Sequence, residues 1–150
     1  MTSVTDSIPK FNCFELRPLT GSIGAEIVGI DLSAASDEMI GDVHRALDHY
    51  HVLAIRDQNL DPTAFHEVAR KFGPFSGNPI HTPLDGFDDL VRFTRSAEDC
   101  GPVVGEDWHM DLAWMKNPPA ITMLYGEEIP AVGGDTLFAI LSAAYEGLSE

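Results

Sequence analysis

An imidazole and a carboxylate stand two positions apart in the stretch Gly105-Glu106-Asp107-Trp108-His109-Met110-Asp111. The stretch reads as a strand, and residues i and i+2 of a strand leave the same face. His109 and Asp111 are therefore expected to project together, with Trp108, Met110 and Leu112 turned to the other face as apolar backing. One neutral nitrogen and one anionic oxygen on a common face are two of the three donors in the two-His, one-carboxylate arrangement. That arrangement holds non-haem Fe(II) with positions left open. His44 and Asp48 also lie one helical turn apart, where side chains meet routinely, so they read as a solvated helix face together with His49 and His51.

The elements that must position the pair can be read in chain order. Residues 1–13 mix Ser, Thr, Asp and Pro and read as a loose terminus; order is expected from Phe14 onward. Residues 24–30 are short, rich in β-branched side chains and bounded by Gly and Asp, which predicts a strand. Ser36-Asp37-Glu38 starts a helix, with a hydroxyl for a backbone N–H and two acids against the positive end of the dipole. Met39, Val43, Ala46, Leu47 and Tyr50 follow at helical spacing. The apolar run 52–55 predicts a strand buried on both faces. Asp61-Pro62 then opens a second helix, whose apolar stripe is Phe65, Val68, Ala69 and Phe72 and whose stop is Gly73-Pro74.

Residues 75–87 are dense in Pro, Gly, Asn and Asp, which predicts a long surface segment of the kind that often carries function. Strands are expected at 90–94 and 120–125, the latter after the turn forced by Asn117-Pro118-Pro119. Gly133-Gly134 allows a tight turn into a last strand, followed by a terminal helical pattern over 142–150. No linker or repeat divides residues 14–150, which read as one domain.

Composition narrows the function classes. A hydrophobic content of 44% suits a globular core, and a net charge of −15 with nine scattered Lys and Arg argues against nucleic acid and anionic membrane surfaces as partners. No apolar run approaches the roughly 20 residues of a bilayer span, and the N-terminus has neither the basic start nor the apolar core of a secretory signal. Cys13 and Cys100 form no C-x-x-C pair and read as reduced thiols. The expected location is cytoplasmic.

Five motifs in order give the chain a family likeness: Leu19-Thr20-Gly21-Ser22-Ile23-Gly24-Ala25-Glu26-Ile27, Arg70-Lys71-Phe72-Gly73-Pro74, Trp108-His109-Met110-Asp111, Asn117-Pro118-Pro119-Ala120 and Gly133-Gly134-Asp135-Thr136-Leu137. On these residues the chain resembles the taurine and aryloxyalkanoate (TauD/TfdA) dioxygenases, Fe(II)- and 2-oxoglutarate-dependent oxygenases. The resemblance implies an α+β, mainly β fold, namely an incomplete double-stranded β-helix (jelly roll) with flanking helices. Family members run to nearly twice this length, so residues 14–150 are expected to be the N-terminal half of the domain. His109 and Asp111 would then be iron ligands, and the Thr136 hydroxyl would bond a carboxylate of 2-oxoglutarate; the bland alternative for Thr136 is a hairpin threonine without a ligand.

In taurine-using members the substrate sulfonate is met by a His, a Tyr and an Asn. The positions matching that set here are Asn78, His81 and Gly105, and all three depart from it. The G-[DE]-D-W-H-x-D form is closer to phenoxypropionate-type members. The alternative for His81 is an exposed loop histidine. The family's third iron ligand, a distal His, and the Arg for the far carboxylate of 2-oxoglutarate lie in the C-terminal half, and none of His44, His49, His51, His66 or His81 sits in a matching motif. The expected function is oxygenation of a small anionic organic acid with dioxygen, of the sulfonate or aryloxyalkanoate class, with the chain alone inactive. A half jelly roll exposes strand edges, which points to a homo-oligomer or a completing C-terminal half as partner. The competing expectation is a catalytically inactive remnant or a non-enzymatic binding module.

Overall fold

The computed structural model of the chain describes residues 9–148. Most of the terminus expected to be loose over 1–13, and the last two residues of the expected terminal helix, therefore lie outside the described residues. The described chain forms two compact units, one built from residues up to Leu60 together with those from Gly126 onward, the other from Asp61–Tyr125.

The first unit holds a three-stranded mixed sheet. Strand β1 (Glu15–Pro18) runs antiparallel to β2 (Ala25–Val28), with Glu15 opposite Val28 and Pro18 opposite Ala25. The connecting turn is closed by the Leu19 N–H donating to the Gly24 carbonyl at 2.9 Å, and by the Thr20 hydroxyl, which accepts the Ile23 N–H at 3.0 Å. Gly24 takes a left-handed φ of 85°, a conformation that costs a residue without a Cβ nothing. Strand β3 (Leu53–Ile55) pairs parallel to β2. Between β2 and β3 the crossover carries helix α1 (Asp37–Tyr50), whose N-cap Ser36 accepts the Met39 N–H as its sequence predicts.

Side-chain alternation along β2 buries Ala25 and Ile27 and leaves Glu26 and Val28 half-buried. The buried pair meets a core completed by Ile30, Leu32, Ile40, Val43, Ala46, Tyr50 and Leu60. The buried face of α1 is thus rotated slightly from the expected stripe: Ile40 replaces Met39 as the first inward residue, and Asp42 is also buried. Its carboxylate accepts from Arg45 at 2.6 Å and from the Asn12 backbone N–H at 3.3 Å, so the buried charge has partners, as it must. His51 ends α1 in a left-handed conformation, φ 64°, with its N–H on the Leu47 carbonyl. A reading of His51 as part of a solvated helix face does not contain that role.

In the second unit, helix α2 (Pro62–Arg70) starts as expected, with Asp61 accepting the Ala64 N–H at 2.8 Å and Pro62 in the first turn. Helix α3 (Leu141–Glu146) in the first unit occupies part of the predicted terminal helix.

Three expectations need correction. Strand β1 is absent from the sequence expectation, because a segment reading Glu-Leu-Arg-Pro has little strand propensity; the ladder offered by β2 makes it a strand, and Pro18 is tolerated at a sheet edge. Strand β3 is half-buried rather than buried on both faces, since it is the sheet's other edge. The strands expected at 90–94, around 107–112, at 120–125 and after the Gly133-Gly134 turn carry no ladder, so the described residues contain more helix than strand and the mainly β proportion is not seen in them. An extended segment becomes a strand only where a neighbour offers a row of N–H and C=O groups, and among the described residues no sheet includes these segments. Burial still alternates along 121–125: Ile121, Met123 and Tyr125 are half-buried, whereas Thr122 and Leu124 are exposed.

Candidate functional site

The chemistry-bearing pair lies in the second unit, in an irregular segment between Gly105 and the turn that follows Asp111. Without a strand the i, i+2 rule cannot place the two side chains, yet they come together: His109 Nε2 lies 3.1 Å from Asp111 Oδ1. Local contacts do what a ladder was expected to do. His109 Nδ1 is 2.7 Å from the carbonyl oxygen of Asp107, and since a carbonyl only accepts, Nδ1 carries the proton and donates. Nε2 is thereby left as the nitrogen that faces Asp111. On the other side the Thr122 hydroxyl donates to Asp111 Oδ2 at 2.7 Å.

Two backbone features shape this segment. Gly105 adopts φ 78°, and a Cβ placed on it would stand 3.2 Å from His109 Cε1, so glycine is needed both for its conformation and for the room it leaves the ring. Leu112, directly after Asp111, has φ 47°, an uncommon conformation for a bulky side chain and one that turns the chain back on itself. The Met115 N–H closes that turn on the Leu112 carbonyl at 3.0 Å.

The His109 imidazole is pushed above its ordinary range, first because the Asp107 carbonyl accepts from it and then because of the Asp111 charge, against an opposing pull from lost solvent contact. Both side chains are open to an incoming group, His109 being 53% and Asp111 44% exposed. The expected apolar backing is not formed: Trp108 and Met110 are exposed and only Leu112 is half-buried. With no strand beneath it, the segment has no second face to bury.

The donor set suits a divalent metal as far as it goes. Neighbouring vertices of an octahedron with bonds of about 2.1 Å lie about 3 Å apart, which matches the separation of Nε2 and Oδ1. A metal-binding histidine commonly donates its other N–H to a carbonyl or carboxylate, and His109 does so. Among the described residues no group of three or more His, Cys, Asp and Glu converges, so a metal at this place would take two donors from them, His109 and Asp111.

The remaining sequence candidates are placed as follows. Asn78 Oδ1 accepts the backbone N–H groups of Ile80 at 3.0 Å and of His81 at 3.1 Å, an Asx turn within the long 73–90 loop. The His81 ring stands edge-on to Phe93 with centroids 4.9 Å apart, so it is half-buried rather than a free loop histidine. Thr136 belongs to the other compact unit and is exposed, after Gly133 and Gly134, which take left-handed φ of 83° and 73° as the predicted tight turn requires. His66 on α2 stacks on Phe75 at 4.8 Å, meets Phe87 at 5.4 Å and sets Nε2 3.5 Å from Asp89. It thus fixes the loop to the helix.

Sequence reasoning misses Thr122 and the Asp107 carbonyl. The first leaves a signal, a lone hydroxyl in the otherwise apolar run Ala120-Ile121-Thr122-Met123-Leu124; a backbone carbonyl leaves none.

Comparison with known proteins follows the same residues. A family profile described as taurine catabolism dioxygenase TauD, TfdA family matches residues 15–150. The alkylsulfatase of Acinetobacter baylyi is 37% identical over 138 residues, a match covering 91% of this chain and 42% of that protein. The alpha-ketoglutarate-dependent sulfate ester dioxygenase of Pseudomonas putida is 30% identical, with 91% of this chain and 44% of its own length covered. The (S)-phenoxypropionate/alpha-ketoglutarate-dioxygenase of Sphingobium herbicidovorans is 29% identical, with 91% and 48% covered. The chain spans less than half the length of each of these relatives.

Proposed function

This chain belongs to the taurine catabolism dioxygenase TauD, TfdA family, and we propose that it supplies two iron ligands to a 2-oxoglutarate-dependent dioxygenase acting on a small anionic organic acid in the cytoplasm. The observation that carries the reading is the pairing of His109 Nε2 with Asp111 Oδ1 at 3.1 Å, with Nδ1 tied down by a carbonyl. Bound there, Fe(II) with 2-oxoglutarate and dioxygen would supply the oxidising chemistry.

This chain's own tasks are positional. The Asp107 carbonyl holds the imidazole in the tautomer that presents Nε2. Asp111 adds the anionic oxygen, which favours a cation. The Thr136 hydroxyl is assigned to a carboxylate of 2-oxoglutarate, where a donor beside an anion suits the charge. Asn78, His81 and Gly105 are assigned to the substrate side. The Asx turn at Asn78 and the Phe93 contact of His81 give the loop a defined shape, and Gly105 leaves space where taurine-using members carry a side chain.

Residues 14–150 act in this reading as the N-terminal half of a jelly-roll domain. A completing half, on the same polypeptide or a second chain, brings the third ligand and the arginine for 2-oxoglutarate. Exposed apolar side chains support a missing cover: Trp108, Met110, Trp114 and Leu124 in the second unit, and Val132, Leu137 and Leu148 in the first. Among the described residues no helix is long and apolar enough to cross a membrane.

The alternative is an inactive binding module. Succinate release from 2-oxoglutarate by the full-length protein, across a panel of sulfonates, sulfate esters and aryloxyalkanoates, separates the two. Substrate-dependent succinate is expected for the oxygenase, and its loss in His109→Ala and Asp111→Ala together with iron content. Iron content unchanged in both variants would remove the metal assignment.

A further inference from the structure

The Thr122 hydroxyl occupies Oδ2 of Asp111 while Oδ1 faces His109 Nε2. A free carboxylate rotates about its last torsion, so either oxygen, or both together, can bind a cation. Here one of the two is already engaged by a donor 11 residues away in sequence. The donor is itself held in place. Threonine is branched at Cβ and its first torsion is restricted, so the position of Oγ1 follows from the backbone. That backbone is anchored on both sides of Thr122 by the half-buried Ile121 and Met123, and beyond them by Tyr125, whose ring packs on Phe65 of α2 at 5.7 Å.

We propose that Thr122 is a positioning residue for the half-site: by engaging Oδ2 it reserves Oδ1 for the metal and restricts Asp111 to binding through one oxygen. The inference rests on the reading of His109 and Asp111 as ligands. One-oxygen binding has a consequence for that reading, because a carboxylate that chelates with both oxygens fills two coordination positions and leaves fewer for a chelating co-substrate. A threonine held against Oδ2 keeps that extra position open.

The test is Mn(II) binding to the full chain, followed by paramagnetic broadening of the His109 imidazole resonances. Thr122→Val, which removes the hydroxyl at nearly constant shape, is expected to weaken Mn(II) binding between about 10- and 100-fold, the range found when a group supporting a metal ligand is lost. Thr122→Ser keeps the hydroxyl and is expected to restore most of the affinity, which a packing role for the side chain would not produce. In an Asp111→Asn background the further change Thr122→Val is expected to add little, since residues acting through one another are not additive. Wild-type affinity in Thr122→Val, or no recovery in Thr122→Ser, or full additivity with Asp111→Asn, would overturn the role of Thr122 while leaving the metal reading standing. No broadening at His109 in the unsubstituted chain would instead overturn both.

Discussion

Replacing Gly105 with alanine tests whether the space beside the His109 ring matters for metal binding. Two costs are legible in the structure. The first is conformational: at φ 78° an L side chain sits in left-handed backbone, at a cost of about 1–2 kcal/mol. The second is local, because the new Cβ would stand 3.2 Å from His109 Cε1, and the ring must give by a few tenths of an ångström. Cε1 lies between the two nitrogens, so its displacement disturbs both the Asp107 hydrogen bond and the approach to Asp111. Gly77 is the matched control, since its φ is 72° and an added methyl there would meet nothing within 4 Å. Both variants should lose a similar ~1–2 kcal/mol in urea unfolding. Gly105→Ala alone should bind Mn(II) about tenfold more weakly, ~1.4 kcal/mol, the lower end of what disturbed ligand support costs. Equal Mn(II) affinity in the two variants would refute the reasoning, whatever happened to stability.

Three further outcomes follow from geometry already described. In the metal-free chain the His109 imidazole should titrate above the ordinary 6.5. Its raised value means the protonated form favours the fold, a contribution fully present below the unfolded value and lost as pH rises through the folded one. Mn(II) competes with that same proton at Nε2, so metal affinity should climb as pH rises toward the raised value and level off above it; an NMR midpoint at or below 6.5 would contradict this. His51→Gly should stabilise the protein by about 1 kcal/mol, because His51 caps α1 at φ 64° where glycine is unstrained, and an unchanged thermal midpoint would count against the cap. Iodoacetamide should modify Cys100 before Cys13, since Cys100 is exposed whereas lost solvent contact and the neighbouring Asp42 push the Cys13 thiol up; mass spectrometry showing the reverse order would contradict it.

Local signals are the legible part of this chain. The caps at Ser36 and Asp61, the stop near Gly73 and the glycine turn at 133–134 are set by a few adjacent residues, and each stands where the sequence puts it. Strands depend on partners elsewhere in the chain. β1 escapes a sequence reading because its propensity is poor and its neighbour good, whereas 90–94 and 120–125 have the propensity and join no sheet among the described residues. The pairing of His109 with Asp111 is expected from strand alternation, a reason that does not hold, and is brought about by contacts through the Asp107 carbonyl and the Thr122 hydroxyl, of which only the hydroxyl leaves a trace in the sequence. Folding information for a site can therefore sit in a carbonyl two residues away.

His66 gives the long loop an unusual kind of tether. One imidazole on α2 touches Phe75 near the loop's start and Phe87 and Asp89 near its end, so both feet of the arch rest on a single post. Loss of that single ring, as in His66→Ala, would therefore loosen the loop at its start and its end together, a cost that no one loop residue reveals.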